Sequence, residues 1–320
     1  MTQSDAVRPP FDPELKAGLA VIGGMFPPTV TPELIGFMRR SYASRPVAET
    51  LAGRDVEHRE YEMAGHGGDR IVVSAFRPRA VPDSRPAVLY AHSGGLMFGD
   101  RFNALDASLD WVERLGAVLI CPEYRLAPEY PDPYAREDMY AALEWLARNA
   151  RWVSTPAASL SQAPAQVAVW PRAWHWPHAT ATVRRYRDRC CPIRCSMTAG
   201  TRRRPHSSTG SACGTGSNET GWRAYLGDAY RTDDVCPYAV PARATDLSGL
   251  PRAFLDVGDC EIFRDEGIAY ANALWCAGGN AELHVWPGAF HACDIFAPHT
   301  ALAKAMLRTR FAWMQRVLAD

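Results

Sequence analysis

The sequence predicts an α/β protein built on a mostly parallel, doubly wound sheet. Short apolar runs alternate with amphipathic helical segments along most of the chain, the pattern of buried strands joined by helical crossovers. Glycine-rich or charged motifs follow several of those runs, where chemistry gathers in such sheets, at the carboxyl ends of the strands. A length of 320 residues is enough for one large core, or a core with a small cap. One stretch, residues 151–216, breaks the pattern.

Taken in order, Glu14–Ile22 and Pro32–Arg40 read as short helices, the second opened by the start signal Thr31-Pro32. Short helices ahead of the first strand suggest an N-terminal cap, residues 1–65, on a core of residues 66–320. Ile71–Arg77 has strand character. Ala87–Ala91 is an apolar run leading into glycines, and Ala117–Cys121 is another. Ala135–Arg148 is amphipathic, with Met139, Ala142, Leu143 and Leu146 on one face. Beyond the anomalous stretch, Ala253–Val257 reads as a buried strand. Asp265–Cys276 reads as a helix closed by Gly278-Gly279, Leu283–Trp286 as a strand and Ala301–Leu318 as a final helix. No internal repeat is present.

Composition narrows the function. No apolar run reaches the ~18–20 residues of a membrane helix, so no membrane span is expected. Met1–Pro10 holds Asp5 and Arg8 and no apolar signal core, so secretion is not indicated. Nine scattered cysteines, an odd number, point to reduced thiols and a cytoplasmic location. The net charge of zero hides an imbalance: residues 151–216 carry ten arginines and one acid, Asp188, and the remainder balances them. Lysine occurs only at 16 and 304, an arginine bias typical of a GC-rich coding sequence.

Four motifs carry chemistry. His92-Ser93-Gly94-Gly95 follows the run Ala87–Ala91, and glycines there let backbone N–H groups point into a cleft where they can hold an oxyanion. Alone, it would be read as a glycine-rich turn. Some thirty residues on stands Cys121-Pro122-Glu123-Tyr124-Arg125-Leu126-Ala127-Pro128-Glu129. The pair resembles the hormone-sensitive-lipase-like family of α/β-hydrolase esterases, which carries His-Gly-Gly-Gly and then Tyr-Arg-Leu-Ala-Pro-Glu at that spacing. Ser93 replaces the family's first glycine. The resemblance assigns the oxyanion donors to Gly94 and Gly95, with His92 as a motif residue. Arg125 and Asp138 read as an ion pair tying the loop to the helix.

The third motif runs Asp256-Val257-Gly258-Asp259-Cys260-Glu261-Ile262-Phe263-Arg264-Asp265-Glu266-Gly267. The family places its catalytic acid four residues before an Asp-Glu-Gly helix start, which gives Glu261, with Asp259 the alternative. Asp265 and Glu266 read as helix N-terminal charges that suit the helix dipole. The fourth, Trp286-Pro287-Gly288-Ala289-Phe290-His291, resembles the family's Pro-Gly-x-x-His, which makes His291 the general base. The family order is Ser, then Asp or Glu, then His.

The nucleophile does not appear. It should sit in a Gly-x-Ser-x-Gly elbow shortly after Ala150, and the chain contains no such motif. Cys190, Cys191, Cys195 and His206 match no strong zinc template. Arg and Trp in the same stretch could bind nucleic acid, or the stretch could be a disordered basic insertion. Each of these leaves the family's elbow missing.

A shift of reading frame explains more. Regrouping each codon's third base with the next two, Gln162–Trp170 permits Gly-Ala-Ser-Ala-Gly-Gly-Gly-Leu, its serine straddling the codons of Pro164 and Ala165. Upstream, Trp152-Val153 forces a glycine, and the run permits Leu-Gly-Val-Asp-Pro-x-Arg-Ile-Ala-Val-Ala, a loop and a strand. Ile193–Gly200 permits Pro-Leu-Leu-Asp-Asp-Arg-Gly, with one Asp forced by Met197-Thr198. Ala212–Gly216 permits Val-Trp-Asp-Arg, and the family-like frame resumes at Ser217-Asn218-Glu219-Thr220-Gly221-Trp222.

The resemblance thus implies hydrolysis of a small-molecule carboxylic ester through an acyl-enzyme, with no metal or organic cofactor, no nucleic acid and no membrane span. It neither fixes nor excludes a dimer. As written the chain is expected to be inactive, with 151–216 disordered or misfolded and a sheet edge left unpaired. A non-catalytic acyl-ligand-binding protein is the alternative, and an esterase using Ser159 or Ser161 ranks below it, since neither serine has the glycines of an elbow.

Overall fold

The computed structural model describes residues 9–23, 26–79, 86–149, 158–161, 188–190 and 215–319. The chain opens with helices α1 (Pro13–Ile22), α2 (Ile35–Ser41) and α3 (Val47–Thr50), α2 entered through a 3-10 turn at Pro32–Leu34. Strands β1 (Val56–Ala64), β2 (Arg70–Pro78) and β3 (Ala87–Ala91) follow. Next come α4 (Asp106–Leu115), β4 (Val118–Pro122) and α5 (Tyr134–Arg148). Beyond them lie β5 (Ala158–Ser161), β6 (Asp188–Cys190), α6 (Thr215–Leu226), β7 (Arg252–Gly258) and α7 (Arg264–Cys276). The chain closes with β8 (Ala281–Trp286), α8 (Cys293–Phe296) and α9 (Ala301–Ala319).

The eight strands form one sheet in the order β1-β2-β4-β3-β5-β6-β7-β8. β1–β2 and β2–β4 pair antiparallel and every later pair is parallel. Its two faces bury alternate residues, as a pleat requires. On one, Val73, Ala75, Leu89 and Ile120 pack with Met139, Ala142, Leu143 and Leu146 of α5 and with Trp222 and Tyr225 of α6. On the other, Phe76, Val88, Tyr90 and Leu119 pack with Leu109 and Val112 of α4 and with Trp313 and Met314 of α9. The expected doubly wound α/β architecture is therefore present.

Two expectations are corrected. β1 lies inside the segment 1–65 assigned to a cap, yet it is the sheet's first strand. Its residues Glu57, Arg59, Glu60 and Glu62 hide it from an apolar-run reading. An edge strand exposed to water tolerates such charges, and cross-strand ion pairs support it. Glu57 lies opposite Arg77 in the ladder, and their side chains meet at 2.8 Å. Second, the anomalous stretch does not leave the sheet open. β5 pairs with β3, and β6 joins β5 to β7. These strands are four and three residues long, and their ladder bonds come from main-chain groups that any non-proline residue supplies. The rest of 151–216 as far as residue 214, including the positions that would encode the elbow, lies outside the described residues.

Candidate active site

The parallel strands β3, β7 and β8 end on the same edge of the sheet, and each feeds one of the sequence-predicted motifs. After β3 the backbone turns through Gly94, φ 122°, and Gly95, φ 61°. The Gly94 carbonyl accepts from the N–H groups of Met97 and Phe98, both at 3.1 Å. A Cβ on Gly94 would lie 1.8 Å from the Phe98 carbonyl oxygen, so only glycine fits there. Among the described residues no acceptor takes the N–H of Gly94 or Gly95.

The neighbours of those glycines are held from several sides. The buried His92 ring stacks on Tyr124 with centroids 4.1 Å apart. Its Nδ1 lies 2.8 Å from the Ser93 carbonyl, so Nδ1 carries the proton. The Tyr124 hydroxyl donates to the His92 carbonyl at 2.8 Å, joining the first motif to the second. Burial lowers the His92 pKa, with Glu123 and Asp100 opposing more weakly. Ser93 bonds Asn103 and lies 3.0 Å from the Tyr42 hydroxyl. The substituted residue thereby ties the loop to the helical N-terminal segment.

Arg39 of α2 makes a second tie that no sequence pattern signals. It donates to the Met97 carbonyl at 2.9 Å, to the Ala127 carbonyl at 3.0 Å and to both oxygens of Glu129 at 2.8 and 2.6 Å. The expected Arg125–Asp138 pair is present, at 2.9 and 2.6 Å. Asp138, fully buried, also accepts the His66 N–H at 2.8 Å. The pair fixes the loop after β4 to α5 and makes no contact with the His291 region.

At the ends of β7 and β8 the structure brings Glu261 and His291 together, 30 residues apart in sequence. Glu261 Oε2 lies 2.5 Å from His291 Nδ1, and Glu261 Oε1 accepts the Gly258 N–H at 2.5 Å. Both side chains are buried. A carboxylate on Nδ1 fixes the tautomer that leaves the lone pair on Nε2. Asp259, the alternative acid, is engaged elsewhere: its Oδ1 accepts the Gly288 N–H at 2.7 Å. It clamps the two loops to each other. Gly258 allows their close approach, since a Cβ there would lie 2.2 Å from the Ala289 carbonyl oxygen. Asp265 and Glu266 stand in the first turn of α7, as expected of helix N-terminal charges.

Two further supports carry no local sequence signal. The N-terminal segment lies across the His291 loop: Asp12 N–H donates to the Gly288 carbonyl at 3.1 Å, and Phe11 meets Phe290 edge-on at 6.3 Å. Beneath both loops, buried Arg310 of α9 bridges Asp256 of β7 at 2.9 Å and Asp294 of α8 at 3.0 Å. Ser159 and Ser161 lie within β5, opposite Leu89 and Ala91, and are strand residues, not members of a turn. Of the zinc candidates only Cys190, in β6, falls among the described residues.

A protein-family profile described as alpha/beta hydrolase fold matches residues 88–171 and 189–295, more than half of the chain. The chain belongs to the α/β-hydrolase family. Its relatives place it with the hormone-sensitive-lipase-like esterases. A carboxylesterase, NlhH, of Mycobacterium tuberculosis is 28% identical over 309 residues, 93% of each chain. A solved bacterial heroin esterase superposes with a TM-score of 0.79 at 27% identity, covering 96% of this chain and 98% of its own. Brefeldin A esterase, titled a bacterial homologue of human hormone-sensitive lipase, shares the fold with a TM-score of 0.78 at 22% identity over 97% of this chain and 94% of its own. Among the described residues no helix is long and apolar enough to cross a membrane.

Proposed function

We propose that this chain is a carboxylic-ester hydrolase by family that lacks its nucleophile and is inactive as written. The single observation that carries the first half is the contact between Glu261 and His291 at the ends of parallel strands, in a chain whose relatives are esterases. In this reading a serine would attack the ester carbonyl, and His291 would take its proton and return it to the leaving alcohol. Glu261 would orient the imidazole and stabilise its charged form. Gly94 and Gly95, with the N–H that follows the serine, would hold the oxyanion. The substrate would be a small ester, and the residues named need no metal or organic cofactor. The helical segment ahead of β1 would cover the site, and Arg39 and Tyr42 would anchor it. The odd number of cysteines supports a cytoplasmic location.

The absence of a Gly-x-Ser-x-Gly motif supports the second half. So does register. Ser161, the last residue of β5, stands opposite Ala91, the last of β3. Gly94 and Gly95 follow Ala91 by three and four residues, and Pro164 and Ala165 follow Ser161 by the same count. Their codon junction is where the shifted frame carries its serine. The interval omitted from the family match, 172–188, also falls inside the anomalous stretch.

Two measurements test this. Sequencing the coding DNA across codons 145–220 should reveal a pair of compensating insertions or deletions relative to close relatives, and an uninterrupted common frame would refute the shift. Purified chain should leave a short-chain nitrophenyl ester unhydrolysed, and turnover at rates typical of esterases would refute inactivity.

A further inference from the structure

On the face of the sheet covered by α4 and α9 lies a pocket of about 400 Å³, bordered by the residues that follow His291. It falls in the ~300–1,000 Å³ range of small-molecule sites. Trp111 of α4, with Leu307 and Phe311 of α9, gives it apolar walls. Asp294 and Arg310 line it as well, and both are buried. His291, Glu261, Gly94 and Gly95 take no part in the lining.

The charges of this pocket are matched except in one respect. Each lining carboxylate has an arginine: Asp106 pairs with Arg45 at 2.6 Å, Asp110 with Arg54 at 3.0 Å and Asp294 with Arg310 at 3.0 Å. Arg114 and Arg308 also line the pocket, and among the described residues neither has a carboxylate partner. The Arg114 guanidinium lies 4.1 Å from the centre of the Phe311 ring. That contact uses the face of the guanidinium and leaves the N–H donors at its edge for another acceptor.

We propose that this pocket binds a small amphipathic anion, its carboxylate or sulfonate held by Arg114 and Arg308 and its apolar body against Trp111, Leu307 and Phe311. Two arginines on the lining of a pocket with apolar walls suit that class, because the anion gains charge-assisted hydrogen bonds while the body leaves water. None of the lining residues named lies within 151–216.

Isothermal titration of the full chain with 4-phenylbutyrate tests it, with 4-phenylbutanol as the neutral counterpart. The acid should bind saturably, and the alcohol about tenfold more weakly or worse, the worth of one charge-assisted hydrogen bond. The double variant Arg114→Glu/Arg308→Glu, at two exposed positions, should weaken the acid by a similar factor with circular dichroism unchanged. His291→Ala should leave it intact. Absence of saturable binding, equal affinity for acid and alcohol, or full affinity in the charge-reversed variant would each overturn the proposal. Loss of binding in His291→Ala would assign the probe to the ester site and overturn it as well. Should charge reversal disturb the fold, Arg308→Gln decides by the same criterion.

Discussion

β3 and β5 are neighbours in one sheet, and the sequences that follow their carboxyl ends differ completely. β3 is apolar and buried at all five positions, and it leads into His92-Ser93-Gly94-Gly95, where His92 bonds within the loop and is bonded by Tyr124, Ser93 bonds Asn103 and the Gly94 carbonyl takes two N–H groups. β5 carries Ser159 and Ser161 and leads into Gln162-Ala163-Pro164-Ala165, without a glycine. Both strands occupy their slots, because pairing is a property of the main chain. A catalytic turn cannot be filled that way. It needs a residue that accepts a strained backbone and a side chain with a specific reactive atom. Main-chain pairing can therefore keep a strand in its slot even where the sequence after it lacks the residues of a catalytic turn.

The strongest test of this contrast is to make the two strand ends equivalent. If codons 151–216 are shifted as proposed, restoring the frame should place a Gly-x-Ser-x-Gly elbow after β5. Activity on a short-chain nitrophenyl ester should then rise by on the order of 10⁶, the usual cost of a missing triad nucleophile. A repaired chain that folds and stays inactive would show that the flanking residues do not form the proposed site.

In that repaired chain the two acids of the β7 loop can be set against each other. Glu261→Gln should lower kcat by about 10⁴, as loss of the triad acid does. Asp259→Asn should leave kcat nearly unchanged and lower the melting temperature, because Asp259 binds the Gly288 N–H and not the histidine. The reverse result would exchange their roles.

The contact of Glu261, and not Asp259, with His291 agrees with the count that the family resemblance supplied. The helix start at Asp265-Glu266-Gly267 sets the count back to Glu261, and β3 was legible to the residue. Elements that depend on distant partners were not. β1 was hidden by its charges, which make sense beside Arg77, Arg70 and Arg101, the partners of Glu57, Glu62 and Glu60. Arg39 meets Met97, Ala127 and Glu129 across 58 to 90 residues of chain. Arg310 meets Asp256 across 54. No periodicity in the sequence encodes such contacts.

Arg310 supplies the next test, on the side of the molecule that β3 represents. It joins β7 to α8, which carry the chain into and out of the Glu261 and His291 loops. Arg310→Met removes the cation and leaves two buried carboxylates uncompensated, which should destabilise the chain by about 3–5 kcal/mol. The shift in urea midpoint measures it. A loss below about 1 kcal/mol would mean that the network is solvated and does not brace the loops.

The smallest expected effect probes the end of β3 itself. His92 is buried, and that burial lowers its pKa below the ordinary imidazole value of about 6.5. Between the lowered and the ordinary value, the unfolded chain binds a proton that the folded chain refuses. Stability therefore owes nothing to this group above about pH 6.5 and falls as pH drops below it. His58, also lowered by burial, acts in the same direction, so the contribution of His92 has to be isolated by difference. His92→Gln should flatten the decline in unfolding free energy between about pH 6.5 and 5 relative to the parent chain. It should leave the slope between about pH 7 and 8 unchanged. An identical acid slope in the two chains would mean that the turn after β3 admits water to the imidazole, and that the close packing of His92, Ser93 and Tyr124 is looser than their distances imply.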